Sequence, residues 1–260
     1  MADPLSIALI YPDLLGTYGD GGNAVILAQR LRWRGTPASV VEVRAGTPIP
    51  VSCDIYVLGG GEDAPQALAA DQLALERPLH RAVDRGAVVF AVCAGLQVIG
   101  QSFLIAGGAA RPGLGLVDCS TGRTTSKRAV GELVVEPDSS LRLGLPTLSG
   151  YENHGGVTDV GPSARPLGRA VVGVGNGDGH GSEGVVSGRI LGTYMHGPAL
   201  ARNPALADLL LSWALGLATA GELPPLDDAE AAALLSARLR AAWSGAGVAK
   251  TGKGRRRFSR

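Results

Sequence analysis

The sequence predicts an α/β fold, with a central, mostly parallel sheet and helices on both faces. Short runs rich in β-branched residues alternate with helical patterns from Leu5 to Gln97. The run Ala87 to Val92 is apolar throughout, as a strand buried on both faces must be. A 260-residue chain with 45% hydrophobic content also has enough apolar surface for one or two cores. In order, Leu5 to Tyr11 reads as a first strand. Gly22 to Trp33 reads as a helix with Asp20 or Asn23 as its cap. Ala38 to Arg44 and Ile55 to Leu58 are the next strands, and Ala64 to Asp84 is one or two helices broken near Pro78. Beyond Pro112 the texture changes to short strands and Gly-rich turns: Gly131 to Val135, Ala170 to Val174, Gly184 to Val186 and Arg189 to Tyr194. Helices are expected at Pro204 to Leu215 and at Asp227 to Trp243, the latter with Leu235, Leu239 and Trp243 on one face.

Composition narrows the function classes. The net charge of +1 gives no electrostatic case for nucleic acid or an anionic membrane. Three scattered cysteines, Cys53, Cys93 and Cys119, suit neither a disulfide framework nor a metal site, and no metal is expected. No basic and apolar leader precedes the first strand, so the cytoplasm is the expected compartment. Gly86 to Ala110 is uncharged and long enough to span a bilayer, but five glycines, Gln97, Gln101 and Ser102 interrupt it. A strand, turn and helix explain it better, and no membrane span is expected. There is no Walker-type phosphate loop and no internal repeat.

The chemistry concentrates where the apolar strand meets Cys93, Ala94 and Gly95 and a helical pattern begins near Leu96. A nucleophile at a tight strand-to-helix turn is a nucleophile elbow, here with Cys in place of Ser. The helix N–H groups that follow favour thiolate and can hold a developing oxyanion. The third strand delivers Gly59-Gly60-Gly61-Glu62-Asp63, whose glycine backbone can face a neighbouring site and add oxyanion donors to the Ala94 N–H. A Cys nucleophile also needs a base. Of four histidines, His80 is expected to be solvated and His180 lies in a Gly-rich turn. His196 ends the apolar strand Ile190 to Tyr194, where a base would face the elbow, and His154 in a polar segment is second choice.

These motifs together resemble the class I glutamine amidotransferases. The segment Val92-Cys93-Ala94-Gly95-Leu96-Gln97 matches the family's Cys-x-Gly-x-Gln pattern. With the Gly59-Gly60-Gly61 run and His196-Gly197, it resembles the cobyric acid synthase-like branch. Tyr11-Pro12-Asp13-Leu14-Leu15, Tyr18-Gly19-Asp20, Gly22-Asn23, Glu152-Asn153-His154-Gly155-Gly156, His196-Gly197-Pro198 and Asn203-Pro204 carry a closer likeness. Within that branch they resemble the glutaminase subunits of lipid II isoglutaminyl synthases. The resemblance covers about residues 5 to 215. It implies a flavodoxin-like class I glutaminase fold over residues 1–217; outside it, the pattern itself reads as an amphipathic helix at 218–244 and a basic, disordered tail at 245–260.

The resemblance implies hydrolysis of L-glutamine by Cys93 with His196 as base, and an oxyanion hole from Gly60, Gly61 and Ala94. Gln97, Arg128 and His154 would bind substrate, with Arg128 gripping the α-carboxylate. It implies no cofactor in this chain. Ammonia would pass to a Mur-ligase-like, ATP- and Mg-dependent partner in a heterodimer, which amidates the D-glutamate α-carboxyl of a lipid-linked peptidoglycan precursor. Many relatives place a glutamate two residues after the catalytic histidine to orient it; here that position is Pro198. Glu152, Asp20, a partner residue, or no acid at all remain open. Rival functions are a cobyric acid synthase-type glutaminase, a Cys-elbow hydrolase of peptides or esters, and a non-catalytic subunit.

Overall fold

The computed structural model describes residues 4–124 and 127–251, with side chains described up to Ser244. The first half runs β1 (Leu5–Ile10), α1 (Gly22–Trp33), β2 (Ala38–Val43), β3 (Ile55–Leu58), α2 (Asp63–Ala74), α3 (Pro78–Asp84), β4 (Val88–Val92) and α4 (Ala94–Ile99). Nine short strands follow: β5 (Ser102–Leu104), β6 (Ala110–Pro112), β7 (Cys119–Arg123), β8 (Ala129–Pro137), β9 (Leu148–His154), β10 (Gly156–Val160), β11 (Gly168–Val172), β12 (Ser182–Glu183) and β13 (Val185–Ser187). The chain then returns to the main sheet as β14 (Ile190–Thr193) and closes with α5 (Ala199–Arg202), α6 (Pro204–Ala214) and α7 (Ala229–Thr251).

The main sheet has the order β13-β14-β4-β3-β1-β2. Five strands are parallel, and β13 pairs antiparallel with β14 at one edge. The parallel order β2-β1-β3-β4-β14 is flavodoxin-like, and its connections reverse direction between β1 and β3. Ligands of such sheets bind at the strand C-termini near that reversal. All residues of β3, β4 and β14 are buried, which is why their sequences show no polar alternation.

The expected helix break at Pro78 is present, with α3 starting on that proline. The expected cap of α1 is not: Gly21 occupies the N-cap without a side-chain hydrogen bond. Asn23 instead accepts from the Leu200 N–H, at 3.0 Å, and Asp20 is committed elsewhere. His80 is half-buried rather than solvated, bonded through Nε2 to the Leu114 carbonyl at 2.8 Å.

Two four-stranded sheets, β10-β7-β5-β6 and β12-β11-β8-β9, form the second half. Strands β5, β6, β7, β9, β10 and β12 go beyond the sequence reading. They are short or Gly-interrupted, and a register shift between Ala170 and Val172 further weakens the alternation of this region. Their value to the site is positional. The β9 backbone pairs with the segment after β14, through Tyr151 and His196, with the His196 N–H donating to the Tyr151 carbonyl at 2.8 Å.

The C-terminal helix α7 packs against β8, β9, β11 and α5. Its inward stripe is Leu235, Leu239 and Ala242; Trp243 lies half-exposed on the flank. The helix continues to Thr251, past the expected end at residue 244, and residues 252–260 of the expected tail lie outside the described residues. Buried Arg30 of α1 clamps this end, with Nε bonding Asp208 at 2.7 Å and Nη1 bonding Asp228 at 2.7 Å. A planar guanidinium held by two carboxylates meets the pairing that a buried cation requires. Among the described residues no helix is long and apolar enough to cross a membrane, and the Gly86 to Ala110 run is divided among β4, α4 and β5.

Glu183 is fully buried and bonds the Thr193 hydroxyl and the Tyr194 N–H, the latter at 3.2 Å. Burial, reinforced by Glu152, pushes its pKa up to about 7 against the pull of these hydrogen bonds. A raised carboxyl pKa contributes stability that is present below the unfolded value near 4.5 and is lost as pH rises through 7. Glu183→Gln, which does not titrate, should therefore gain on the wild type between pH 5 and pH 8 by on the order of a few kcal/mol. Denaturant melts of both proteins across that range check this, and parallel profiles would refute it.

Candidate active site

Four strand ends of the main sheet converge on one place. Cys93 follows β4, His196 follows β14, Gly60 follows β3, and Asp20 lies in the connection after β1. Cys93 has φ +52° and ψ −105°, a strained backbone for a residue with a side chain. Its N–H is tied to the Thr193 carbonyl at 2.9 Å and its carbonyl accepts from the Gln97 N–H at 3.0 Å, which holds the elbow in place. This is the nucleophile elbow that the sequence predicts.

The open question of the orienting acid has an answer within the chain. His196 Nδ1 lies 2.8 Å from Asp20 Oδ2, with the two side chains 1% and 0% exposed. The same Oδ2 accepts the Gly60 N–H at 2.8 Å. Glu152, the other internal candidate, accepts instead from the Val174 and Gly175 N–H groups at 2.8 and 3.0 Å. Burial disfavours the charged imidazole, but the Asp20 carboxylate and the Cys93 sulfur outweigh it and push the His196 pKa up to about 10. The pairing thus favours the protonated ring, the counter-charge that a cysteine thiolate needs. With Nδ1 taken by Asp20, Nε2 is the ring nitrogen left to interact with Cys93.

The Gly60 bond to Asp20 corrects one expectation. An N–H already donated to Asp20 is not an oxyanion donor, so Gly60 leaves the expected hole. The Gly61 and Ala94 N–H groups have no recorded partner among the described residues. Glycine is needed at position 60 for another reason: a Cβ there would stand 2.5 Å from His196 Cε1.

A small cavity beside Cys93 is lined by Gly61, Ala94, Gln97, Arg128 and His154, together with Glu62, Asp63, Gln66 and Arg123. Its volume is about 30 Å³, room for a water or two, and it opens to solvent. Buried Gln97 accepts from Gln66 Nε2 at 2.8 Å and donates to the Tyr194 hydroxyl at 3.2 Å. Gln66, one turn into α2, is the contributor that sequence reasoning missed, and no signal marked it beyond its nearness to the glycine run. His154 is buried with its ring stacked on Tyr194, centroids 3.9 Å apart, and Nδ1 bonded to the Gly156 carbonyl at 3.0 Å. Its Nε2 makes no hydrogen bond among the described residues and lies 3.5 Å from Glu152 Oε2. Exposed Arg128 is at the rim, its Nε and Nη2 bonded to the Asn153 side chain and carbonyl. Arg123 pairs with Asp63 at 2.7 Å.

With this geometry in view, comparison with known proteins decides the family. Residues 6–204 match the CobB/CobQ-like glutamine amidotransferase domain. The chain belongs to that family. It is a glutamine amidotransferase. The chain is 37% identical over 211 residues to the GatD subunit of the glutamine-hydrolysing lipid II isoglutaminyl synthase of Staphylococcus aureus, covering 80% of this chain and 83% of that one. It is 34% identical over 213 residues to the GatD subunit from Streptococcus pneumoniae, covering 81% and 80%. A crystal structure of a glutamine amidotransferase shares the fold at 21% identity, with a TM-score of 0.55 over 80% of this chain and 98% of that one.

Asp20→Asn in this amidotransferase should keep the fold and lower kcat for glutamine hydrolysis by roughly 10²- to 10⁴-fold, because an amide neither fixes the tautomer nor stabilises imidazolium. Iodoacetamide should also alkylate Cys93 more slowly at pH 7. Wild-type values for both would remove Asp20 from the site.

Proposed function

We propose that this chain is the glutaminase half of a lipid II isoglutaminyl synthase. It hydrolyses L-glutamine and passes ammonia to a Mur-ligase-like partner, which uses ATP and Mg to amidate the D-glutamate α-carboxyl of lipid II in the cytoplasm. The single observation that carries the glutaminase step is the buried Asp20–His196 pair beside a strained Cys93. The acceptor and the partner rest on similarity to the two GatD subunits over four-fifths of the chain.

The chemistry follows from the site. The Cys93 thiolate attacks the carboxamide carbon, and the C=O electrons move to oxygen, where the Gly61 and Ala94 N–H groups receive them. The His196 imidazolium protonates the departing nitrogen, and ammonia leaves as the thioester forms. His196, now neutral, takes a proton from water as it attacks the thioester; glutamate departs and the ion pair is restored. Asp20 holds Nδ1 throughout, so Nε2 alone exchanges protons. At the rim, Arg128 suits the α-carboxylate of glutamine and the exposed Glu62 suits its ammonium, a pairing of charges that a neutral ester or peptide lacks.

Cys93→Ala should abolish glutamine-dependent amidation by the complex while ammonium salts still support it, because free ammonia bypasses the thioester. A glutamine-mimicking diazoketone should label Cys93 and spare buried Cys53 and Cys119. Retained glutaminase activity in Cys93→Ala would refute the mechanism. Amidation of a different acceptor by the complex would refute the lipid II assignment while leaving the glutaminase intact.

A further inference from the structure

Tyr18 stands between the substrate-facing rim and the catalytic histidine. Its ring meets His196 edge-on, centroids 4.9 Å apart at 65°, and meets Tyr151 edge-on at 6.2 Å. Its hydroxyl accepts from Asn153 Nδ2, and Asn153 in turn holds Arg128 through both its side-chain and main-chain oxygens. An unbroken chain of contacts therefore links Arg128 to His196. Tyr18 is 42% exposed whereas His196 is 1% exposed, so the tyrosine ring is part of what separates the imidazole from solvent.

The backbone here is held against its preference. Tyr18 has φ +61° and is followed by Gly19 at +76°. A bulky residue in the left-handed region persists only where its surroundings over-determine it. They do so on both sides: the Thr17 N–H donates to the Gly60 carbonyl at 3.0 Å, and Asp20 bonds His196 and Gly60. The turn that strains Tyr18 is thus the turn that delivers the triad acid.

We propose that Tyr18 is a positioning residue that ties capture of glutamine by Arg128 to the placement of the His196–Asp20 pair. This rests on the glutaminase reading above. Arg128 meets the incoming carboxylate while Asn153 holds its guanidinium through Nε and Nη2. Asn153 then keeps its bond to the Tyr18 hydroxyl, and the tyrosine ring stays on His196. The hydroxyl serves binding and the ring serves chemistry, so the two roles separate by substitution.

The test uses the full chain, with steady-state glutamine hydrolysis and melting temperature measured for each variant. Tyr18→Phe keeps the ring and loses one hydrogen bond. It should chiefly raise KM for glutamine, by about 2- to 10-fold. Tyr18→Leu loses the ring and should lower kcat by roughly 10- to 100-fold, the scale of a misplaced catalytic group. Asn153→Ala should reproduce the Tyr18→Phe effect, and the double variant should be no worse than either alone. Additive KM effects, an unchanged Tyr18→Phe, or a Tyr18→Leu that keeps wild-type kcat would overturn the proposal. A wild-type chain that does not hydrolyse glutamine, alone or with its partner, would instead overturn the glutaminase reading. The ring's role is then read from iodoacetamide alkylation of Cys93, which uses no glutamine. Slower alkylation in Tyr18→Leu than in Tyr18→Phe supports positioning, and equal rates refute it.

Discussion

One carboxylate oxygen organises this site. Asp20 Oδ2 receives both the His196 Nδ1 proton and the Gly60 N–H, each at 2.8 Å. The connection after β1, the end of β3 and the end of β14 are thereby fixed to each other in a buried space. The Gly197 N–H adds a third, longer bond to Oδ1 at 3.4 Å, so this buried carboxylate has partners on both oxygens. The charge also acts on the ring itself. It favours the protonated form of His196 against the cost of burying that ring. Loss of the Asp20 charge would therefore affect geometry and electrostatics together.

The glycine run after β3 adapts to this arrangement. A Cβ at Gly59 would lie 2.1 Å from the Leu15 carbonyl oxygen, and one at Gly60 would enter the His196 ring. The run is there so that backbone can approach the β1 connection and the histidine closely. The Gly61 N–H, by contrast, meets no acceptor among the described residues. A sequence run of glycine thus has two physical uses, and only the packing separates them.

The parallel sheet was legible because burial on both faces leaves an apolar mark; Val88 to Val92 and Ile55 to Leu58 show it. Cys93 and His196 were legible because each ends such a strand. Asp20 was not assignable, since 176 positions separate it from its partner and an Asp before a helix reads equally well as a cap. The strands around Glu152 to Gly156 were obscured by paired glycines and by polar residues that face buried partners. Trp243 was misplaced because a helix stripe drifts: Leu235, Leu239 and Ala242 form the inward face, and the tryptophan falls beside it.

The polar residues buried behind the sulfur follow one logic. The Tyr194 hydroxyl accepts from Gln97, bonds Thr158 at 2.6 Å, and Thr158 bonds Thr121 at 2.8 Å. Burial chiefly drives the Tyr194 pKa upward, so the group remains a neutral hydroxyl that can both donate and accept. Gln66 donates to the Gln97 oxygen from the other side, which fixes which end of the carboxamide is which. Gly156 leaves room for it, since a Cβ there would lie 2.5 Å from Gln97 Nε2. A carboxamide has two N–H donors and an oxygen with two lone pairs. One donor and one lone pair of Gln97 are spent on Tyr194 and Gln66, and the remaining donor and lone pair belong to a group that lines the cavity beside Cys93.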